Sequence, residues 1–300
     1  MNREIYPGKP IRILVTGANG QLGGEFRSWT DNPAYHFIFS DLPDLDLSDK
    51  SAVYEFLALH KPDFVINCAA YTAVDKAETD RETAFKINVT AVEYVASACR
   101  DLNITLIQIS TDFVFPGNTS NPLSEDDPTG PVNYYGETKL QGERISMNIC
   151  SGTVIVRTSW LYSVSGRNFV NTMLRIAGER KLIDVVSDQF GSPTYSGDLA
   201  AALIGIVTMI HTHPSGPGGF AGIYHYSNEG VISWFDFAKA VFDIRKIPVR
   251  LNPVLTAQYP TPARRPLYSV LDKSKIKQRF ILEIPYWRDS LVKCLSSGNT

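Results

Sequence analysis

Cysteine is scarce in this chain: four thiols, Cys68, Cys99, Cys150 and Cys294, stand far apart with no Cys-x-x-Cys pair. Neither a disulfide framework nor a zinc site is indicated, and the thiols read as reduced packing residues of a cytoplasmic protein. The five histidines, His36, His60, His211, His213 and His225, show no His-x-x-x-His spacing. They read as packing or solvent-facing residues of strands and loops, and no metal-ligand set is identified. A Gly-x-Ser-x-Gly elbow is also missing, which removes the commonest hydrolase reading of an α/β chain. Apolar runs are short. The longest, Leu199 to Ile210, cannot span a bilayer, and Met1 to Arg12 has charges without an apolar stretch, so no secretory signal is expected. A net charge of −2 with intermixed signs argues against broad binding of nucleic acid or of an anionic membrane. An anionic small molecule would need local cations.

What is present is an alternation of strands and helices. The 300 residues can bury enough apolar surface for one large α/β unit or two modest domains. Ile11 to Thr16 reads as a buried parallel strand. Gly17, Gly20 and Gly23 follow at three-residue spacing, ahead of a helix expected from Gln21 to Trp29. Such a turn lets backbone amides approach a pyrophosphate, where the helix start favours negative charge, although glycines also mark ordinary strand-to-helix turns. Asn19, Gln21 and Leu22 join the three glycines as candidate cofactor contacts. The next strand, His36 to Ser40, ends at Asp41. An acidic residue there is placed to accept from the hydroxyls of an adenosine ribose, the plain alternative being a turn-forming Asp. Asp46 and Leu47 are counted with it as cofactor contacts. No Arg or Lys follows Asp41 before Lys50, so no receiver for a 2′-phosphate is visible.

Ser48 is expected to cap a helix reaching His60, and Asp63 to Asn67 forms the third strand. That strand runs into Cys68-Ala69-Ala70-Tyr71 at the carboxyl edge, where such sheets bind ligands. Ala69 and Ala70 have little bulk, and with Tyr71 they are candidate cofactor contacts. A helix is expected from about Thr79 to Leu102, and Asp75, Lys76, Glu78 and Asp80 read as its solvated entry. The fourth strand, Ile104 to Ser110, delivers Ser110 and Thr111 to the same edge, where a hydroxyl can hold a carbonyl oxygen. The acids of the following loop, Glu125, Asp126 and Asp127, read as solvent-facing.

Tyr135 and Lys139 are four residues apart in an expected helix, so phenol and ammonium share one face. A cation there would favour the phenolate and lower the phenol pKa from ~10, suiting Tyr135 to general-acid work. Alone the pair is a weak signal. Its weight comes from the glycine turn and Ser110-Thr111. Strand five, Thr153 to Arg157, ends the regular alternation. Helices are then expected at about 168–179, 198–210 and 233–243, a strand at 183–186 and a surface loop at 211–220. The fold class is therefore α/β, a doubly wound parallel sheet of Rossmann type with a smaller α/β substrate-binding domain. Residues 1–158 form the dinucleotide-binding domain and 159–300 mainly the second, with about 190–220 rejoining the first.

Taken together, Gly17-x-x-Gly20-x-x-Gly23, Thr111 and Tyr135-x-x-x-Lys139 resemble the extended short-chain dehydrogenases/reductases. Further stretches, CAAYTAVDKAE (68–78), ISTDFVFPG (109–117), VRTSWLY (156–162), DQFGSPT (188–194) and YPTPARRP (259–266), narrow the resemblance to the reductases of nucleotide-linked 4-keto-6-deoxy sugars. It implies hydride transfer from NADPH or NADH to the C4 ketone of a dTDP-linked sugar. Thr111, Tyr135 and Lys139 would be the catalytic group, with Lys139 also holding the nicotinamide ribose. Thr111, Asp112, Trp160, Asn168, Gln189 and Arg265 would line the sugar-nucleotide site, Arg265 supplying the cation a diphosphate needs. The resemblance also allows a homodimer and Mg²⁺ at its contact, for which no carboxylate cluster is identified. Sugar-nucleotide 4,6-dehydratases place Asp-Glu after the catalytic Thr, whereas here Asp112 is followed by Phe113. An epimerase or reductase of the same superfamily, and a non-catalytic regulatory subunit of this fold, are the competing readings.

Overall fold

The computed structural model describes residues 9–214 and 217–297. Most of the segment on which the secretory reading rests, and part of the expected 211–220 loop, lie outside the described residues. In chain order the strands are β1 (Ile11–Thr16), β2 (Tyr35–Ser40), β3 (Phe64–Asn67), β4 (Thr105–Thr111), β5 (Val154–Thr158), β6 (Leu161–Tyr162), β7 (Leu182–Val186), β8 (Phe190–Gly191), β9 (Thr194–Tyr195), β10 (Gly222–Tyr226), β11 (Ile232–Ser233) and β12 (Arg250–Val254). Six of them form one parallel sheet in the order β2-β1-β3-β4-β5-β10. Alternate side chains leave opposite faces of a strand. Ile13, Val15, Ile66 and Ile107 therefore enter one core, while Leu14, Val65 and Leu106 enter another on the opposite face.

The helices that cover these faces follow from caps and apolar stripes. α1 (Gln21–Glu25) gives way to a 3₁₀ turn at Phe26–Trp29, so the first helix is shorter than expected. α2 (Lys50–His60) is capped by Asp49, whose carboxylate accepts from the amides of Ser51 and Ala52. Ser48, the expected cap, instead donates to Asp46. α3 (Val74–Ala77) and α4 (Arg81–Phe85) lead through a π-helical turn, Lys86–Thr90, into α5 (Ala91–Asp101). α6 (Tyr134–Ile149) begins at the Asn133 cap and α7 (Phe169–Ala177) at the Asn168 cap. α8 (Ser196–Thr212), α9 (Trp234–Arg245), α10 (Ser274–Phe280) and α11 (Trp287–Ser297) complete the set.

Residues late in the sequence return to the sheet. α8 and the α10 residues Ile276 and Phe280 share the first core with β1 and β5, and the sixth strand, β10, lies beyond the 190–220 stretch expected to rejoin. A separate core unites Tyr162, Val170, Phe237 and Trp287. His60 and His211 are helical rather than in strands or loops. Glu125 is not solvent-facing: it accepts from the His225 amide at 2.9 Å, and burial raises its pKa. Among the described residues no helix is long and apolar enough to cross a membrane, and no group of three or more His, Cys, Asp or Glu could hold a metal ion.

Candidate active site

A cleft of about 510 Å³ opens at the carboxyl edge of the sheet, lined by Gly17, Gly20, Ser110, Thr111, Tyr135, Lys139 and Arg265 among others. Its floor begins at the glycine turn. Gly17 has φ +63, and a Cβ there would lie 2.7 Å from Ala69 N; a Cβ on Gly23 would meet Gly17 O at 2.3 Å. Only glycine permits that conformation and that approach without strain. An adjoining pocket of about 270 Å³ is lined by Asp41, Asp46, Leu47, Ala69 and Ala70 with Gly17 and Gly20, which brings these expected cofactor contacts together. Beneath both runs a buried polar ladder: Thr16 Oγ1 donates to Asn67 Oδ1 at 2.6 Å, and Asn67 Nδ2 to Gln108 Oε1 at 2.8 Å. Asn67 Oδ1 also accepts from Ala69 N at 3.2 Å, fixing the backbone that faces the glycine turn.

Asn19 donates its amide to Asp41 Oδ2 at 2.9 Å, and its side-chain oxygen accepts from Arg27 Nη2 at 3.3 Å. The Arg27 guanidinium lies over Phe39, 4.6 Å from the ring centre. Arg27 is thus linked to Asp41 through Asn19, and it precedes that residue in sequence. Tyr71 points away from the cleft, its hydroxyl on Asp80 and its backbone on Asn88.

Tyr135 and Lys139 share the inward face of α6. Tyr135 is buried, its ring edge-on to Phe113 at 5.7 Å, and the helix can approach this closely because a Cβ on Gly136 would strike Phe113 O at 2.2 Å. Further along, a Cβ on Gly142 would meet Asn88 O at 2.3 Å. Asn88, in the π turn, donates to Thr138 Oγ1 at 3.0 Å and to Tyr71 O at 3.1 Å. The expected lowering of the phenol pKa is not observed. Burial pushes Tyr135 up to about 12, against a smaller opposing pull from its hydrogen bond with Thr111, and Asp112 adds to the rise. Lys139 does not offset this. Its ammonium donates to Ile109 O at 2.8 Å, and burial lowers it to about 8, opposed by Glu143 and then Cys68. In this state Tyr135 holds its proton and Lys139 is still mostly charged at neutral pH.

Two buried polar atoms in residues lining the cleft, Ser110 Oγ and Asp112 Oδ2, lack protein partners. Burial raises Asp112 to about 6, against hydrogen bonds from Ser269 and Thr111. Leaving such groups unpaired costs ~1–3 kcal/mol each, which a polar ligand could recover. Trp160 lines the cleft with φ +49, a left-handed conformation uncommon outside glycine. Its indole stacks on Trp234 at 3.5 Å, and a Cβ on Gly191 would lie 2.5 Å from it. Arg265 faces the cleft but pairs bidentately with Asp75, at 3.0 and 2.8 Å, so Asp75, in the first turn of α3, holds a cleft residue as well as meeting solvent.

Asn168 and Gln189 do not line the cleft. Asn168 caps α7 and donates to Gln21 Oε1 at 2.9 Å, and Gln189 donates to Thr256 Oγ1 at 3.1 Å. Both are buried, and each spends its amide on other protein groups, Asn168 also on the carbonyls of Ser163 and Ser165. Arg167 and Trp234, which do line it, carried no motif of their own.

A parallel sheet with a glycine-lined dinucleotide pocket, and a hydroxyl, a phenol and a lysine converging beside it, defines a Rossmann-type oxidoreductase of the short-chain kind. The family model described as "RmlD substrate binding domain" matches residues 11–299, and the chain belongs to that family. It is 41% identical over 288 residues to a dTDP-4-dehydrorhamnose reductase of Aggregatibacter actinomycetemcomitans, covering 93% of this chain and 97% of that protein. Among solved structures, a dTDP-4-dehydrorhamnose reductase from Clostridium acetobutylicum superposes with TM-score 0.90 at 36% identity, covering 96% of this chain and 100% of that one. Another from Bacillus anthracis, in complex with NADP, gives TM-score 0.89 at 38% identity over 96% of this chain and 99% of that one.

Proposed function

We propose that the protein is a dTDP-4-dehydrorhamnose reductase, converting the C4 ketone of its nucleotide-linked sugar to the alcohol with NADPH or NADH. The observation that carries this reading is the convergence of Thr111, Tyr135 and Lys139 in one cleft that extends from the glycine turn to Arg265. A bound dihydronicotinamide supplies the hydride; the chain's own residues supply position and proton. Thr111 and Tyr135 hold the C4 oxygen, and Tyr135, which retains its proton to about pH 12, delivers it as negative charge develops there. Lys139 spends one of its three donors on Ile109 O, leaving two for ribose hydroxyls. Its positive charge favours the phenolate left behind.

Asp41 suits a free 2′-hydroxyl and Arg27 a 2′-phosphate, so both cofactors are accommodated. Arg265 exchanges Asp75 for the sugar-linked diphosphate. The four free thiols support a reducing, cytoplasmic setting. Assembly as a homodimer belongs to the same proposal and is checked by sedimentation. The decisive experiment follows cofactor absorbance on adding dTDP-4-dehydrorhamnose. One cofactor oxidised per sugar reduced is expected; turnover with only catalytic cofactor would identify an epimerase, and no turnover with any keto sugar would make the chain a binding subunit.

A further inference from the structure

The start of the catalytic helix is tied to the loop that presents Arg265. Asn133, 7% exposed, uses both ends of its carboxamide on backbone groups. Its Oδ1 accepts from Gly136 N at 2.8 Å and its Nδ2 donates to Arg264 O at 2.8 Å. The first bond is an ordinary helix cap, for which Ser or Asp serves as well as Asn. The second is not required by the helix at all. It reaches 131 residues along the chain to the carbonyl immediately before Arg265, while Tyr135 lies two residues after Asn133 in sequence. Asp75 grips the same loop from the other side, accepting from Ala263 N at 3.2 Å as well as from Arg265. Glu78, one turn on from Asp75, accepts from Tyr134 N at 2.8 Å. The loop and the helix start are thus bolted to one short segment and to each other, with Asn133 making the direct link.

We propose that Asn133 is a positioning residue that sets the span between the cation meeting the diphosphate and the phenol meeting the sugar ketone. This rests on the function proposed above, in which Arg265 and Tyr135 hold those two parts of one substrate. A ligand of fixed length gains from both contacts only if their separation is fixed, and small misplacements of reacting groups are costly in rate. The amide's orientation is determined, since turning it over would set two donors against each other at Gly136 and two acceptors at Arg264.

The test separates this link from the cap. Asn133→Ser keeps a capping oxygen and lacks the donor; Asn133→Asp is isosteric but sets an acceptor against Arg264 O. In Asn133→Ser the NADH dissociation constant should match the parent, and the melting temperature should fall by no more than the few degrees that one lost hydrogen bond costs. The inhibition constant of dTDP and the KM of the nucleotide sugar should rise ~2- to 12-fold, the worth of one neutral hydrogen bond, with kcat also reduced. Asn133→Asp should be worse in the same constants. In an Arg265→Ala background, Asn133→Ser should raise the dTDP constant no further. Parental constants in both Asn133 variants would overturn the proposal, as would a fall in melting temperature with the constants unchanged. If Arg265→Ala itself left dTDP inhibition intact, the assignment of the diphosphate to Arg265 would fall, and this inference with it. An Arg265→Ala loss beside a parental Asn133→Ser would overturn the inference alone.

Discussion

The alkaline side of the pH profile should belong to Lys139. Burial lowers its pKa from 10.5 to about 8, a change worth roughly 3–4 kcal/mol against the ammonium. Tyr135 moves the other way, to about 12, so the phenol stays protonated across the working range. Lysine is charged below its pKa and neutral above it. In the free enzyme about nine in ten Lys139 side chains are therefore charged at pH 7 and about one in ten at pH 9. If that charge supports the developing phenolate, kcat/KM should fall about tenfold per pH unit above 8, because kcat/KM reports the free enzyme. The assay is initial-rate cofactor oxidation at substrate well below KM, from pH 6 to 10. Lys139→Arg provides the control: a guanidinium does not titrate in this range, so its profile, at whatever overall rate, should lack the alkaline fall. A parental profile flat to pH 10, or an unchanged fall in Lys139→Arg, would refute the reasoning.

Tyr135→Phe keeps the ring against Phe113 but removes the proton, so kcat should drop ~10²–10⁴-fold in single-turnover oxidation while fluorescence titration shows NADH still bound. Asp41→Ala should weaken NADH more than NADPH and Arg27→Ala the reverse, read as opposite changes in the kcat/KM ratio for the two cofactors. Glu143→Ala leaves the Arg157 guanidinium, 2% exposed and bound bidentately at 2.8 and 2.7 Å, without its counter-ion. A loss of ~3–5 kcal/mol in urea unfolding is expected, and a loss under 1 kcal/mol would mean that water reaches the pair.

What could be read from the sequence was what local chemistry enforces. Gly17 and Gly23 announce the turn because no other residue fits there, and Tyr135 and Lys139 share a face because a helix makes them. The sheet's first five strands were legible from apolar runs in regular alternation with helices. Its sixth, GIYHY at 222–226, was not, since it follows a Pro- and Gly-rich loop outside that alternation and acquires its place only by pairing with β5. Arg27 carried no motif, since its link to Asp41 runs through Asn19. Asp75 was weighed against its sequence neighbours, yet it meets Arg265 from 190 residues away. Asn168 caps α7 and Gln189 donates to Thr256 Oγ1; amide side chains suit ligand contacts and such bonds equally well, and spacing along the chain announces neither. The phenol's pKa was misjudged because spacing along a helix conveys proximity but not desolvation.

The π turn at Lys86–Thr90 has a consequence for what lengths of chain this fold can tolerate. A π turn holds one residue more than the α turns on either side, so the helix through α4 and α5 carries a surplus residue that regular winding would expel. Asn88 sits in that surplus, its carboxamide on Tyr71 and Thr138 and its carbonyl against Gly142. Deleting one residue there would leave a smoother helix, and by propensity a better one, yet would rotate Asn88 off both neighbours and detach α6 from the cofactor edge. The chain is thus one residue too long for its helix and the right length for its active site, and a single-residue deletion at this turn should be far harder to accommodate than one in the exposed loop at Thr119–Asn121.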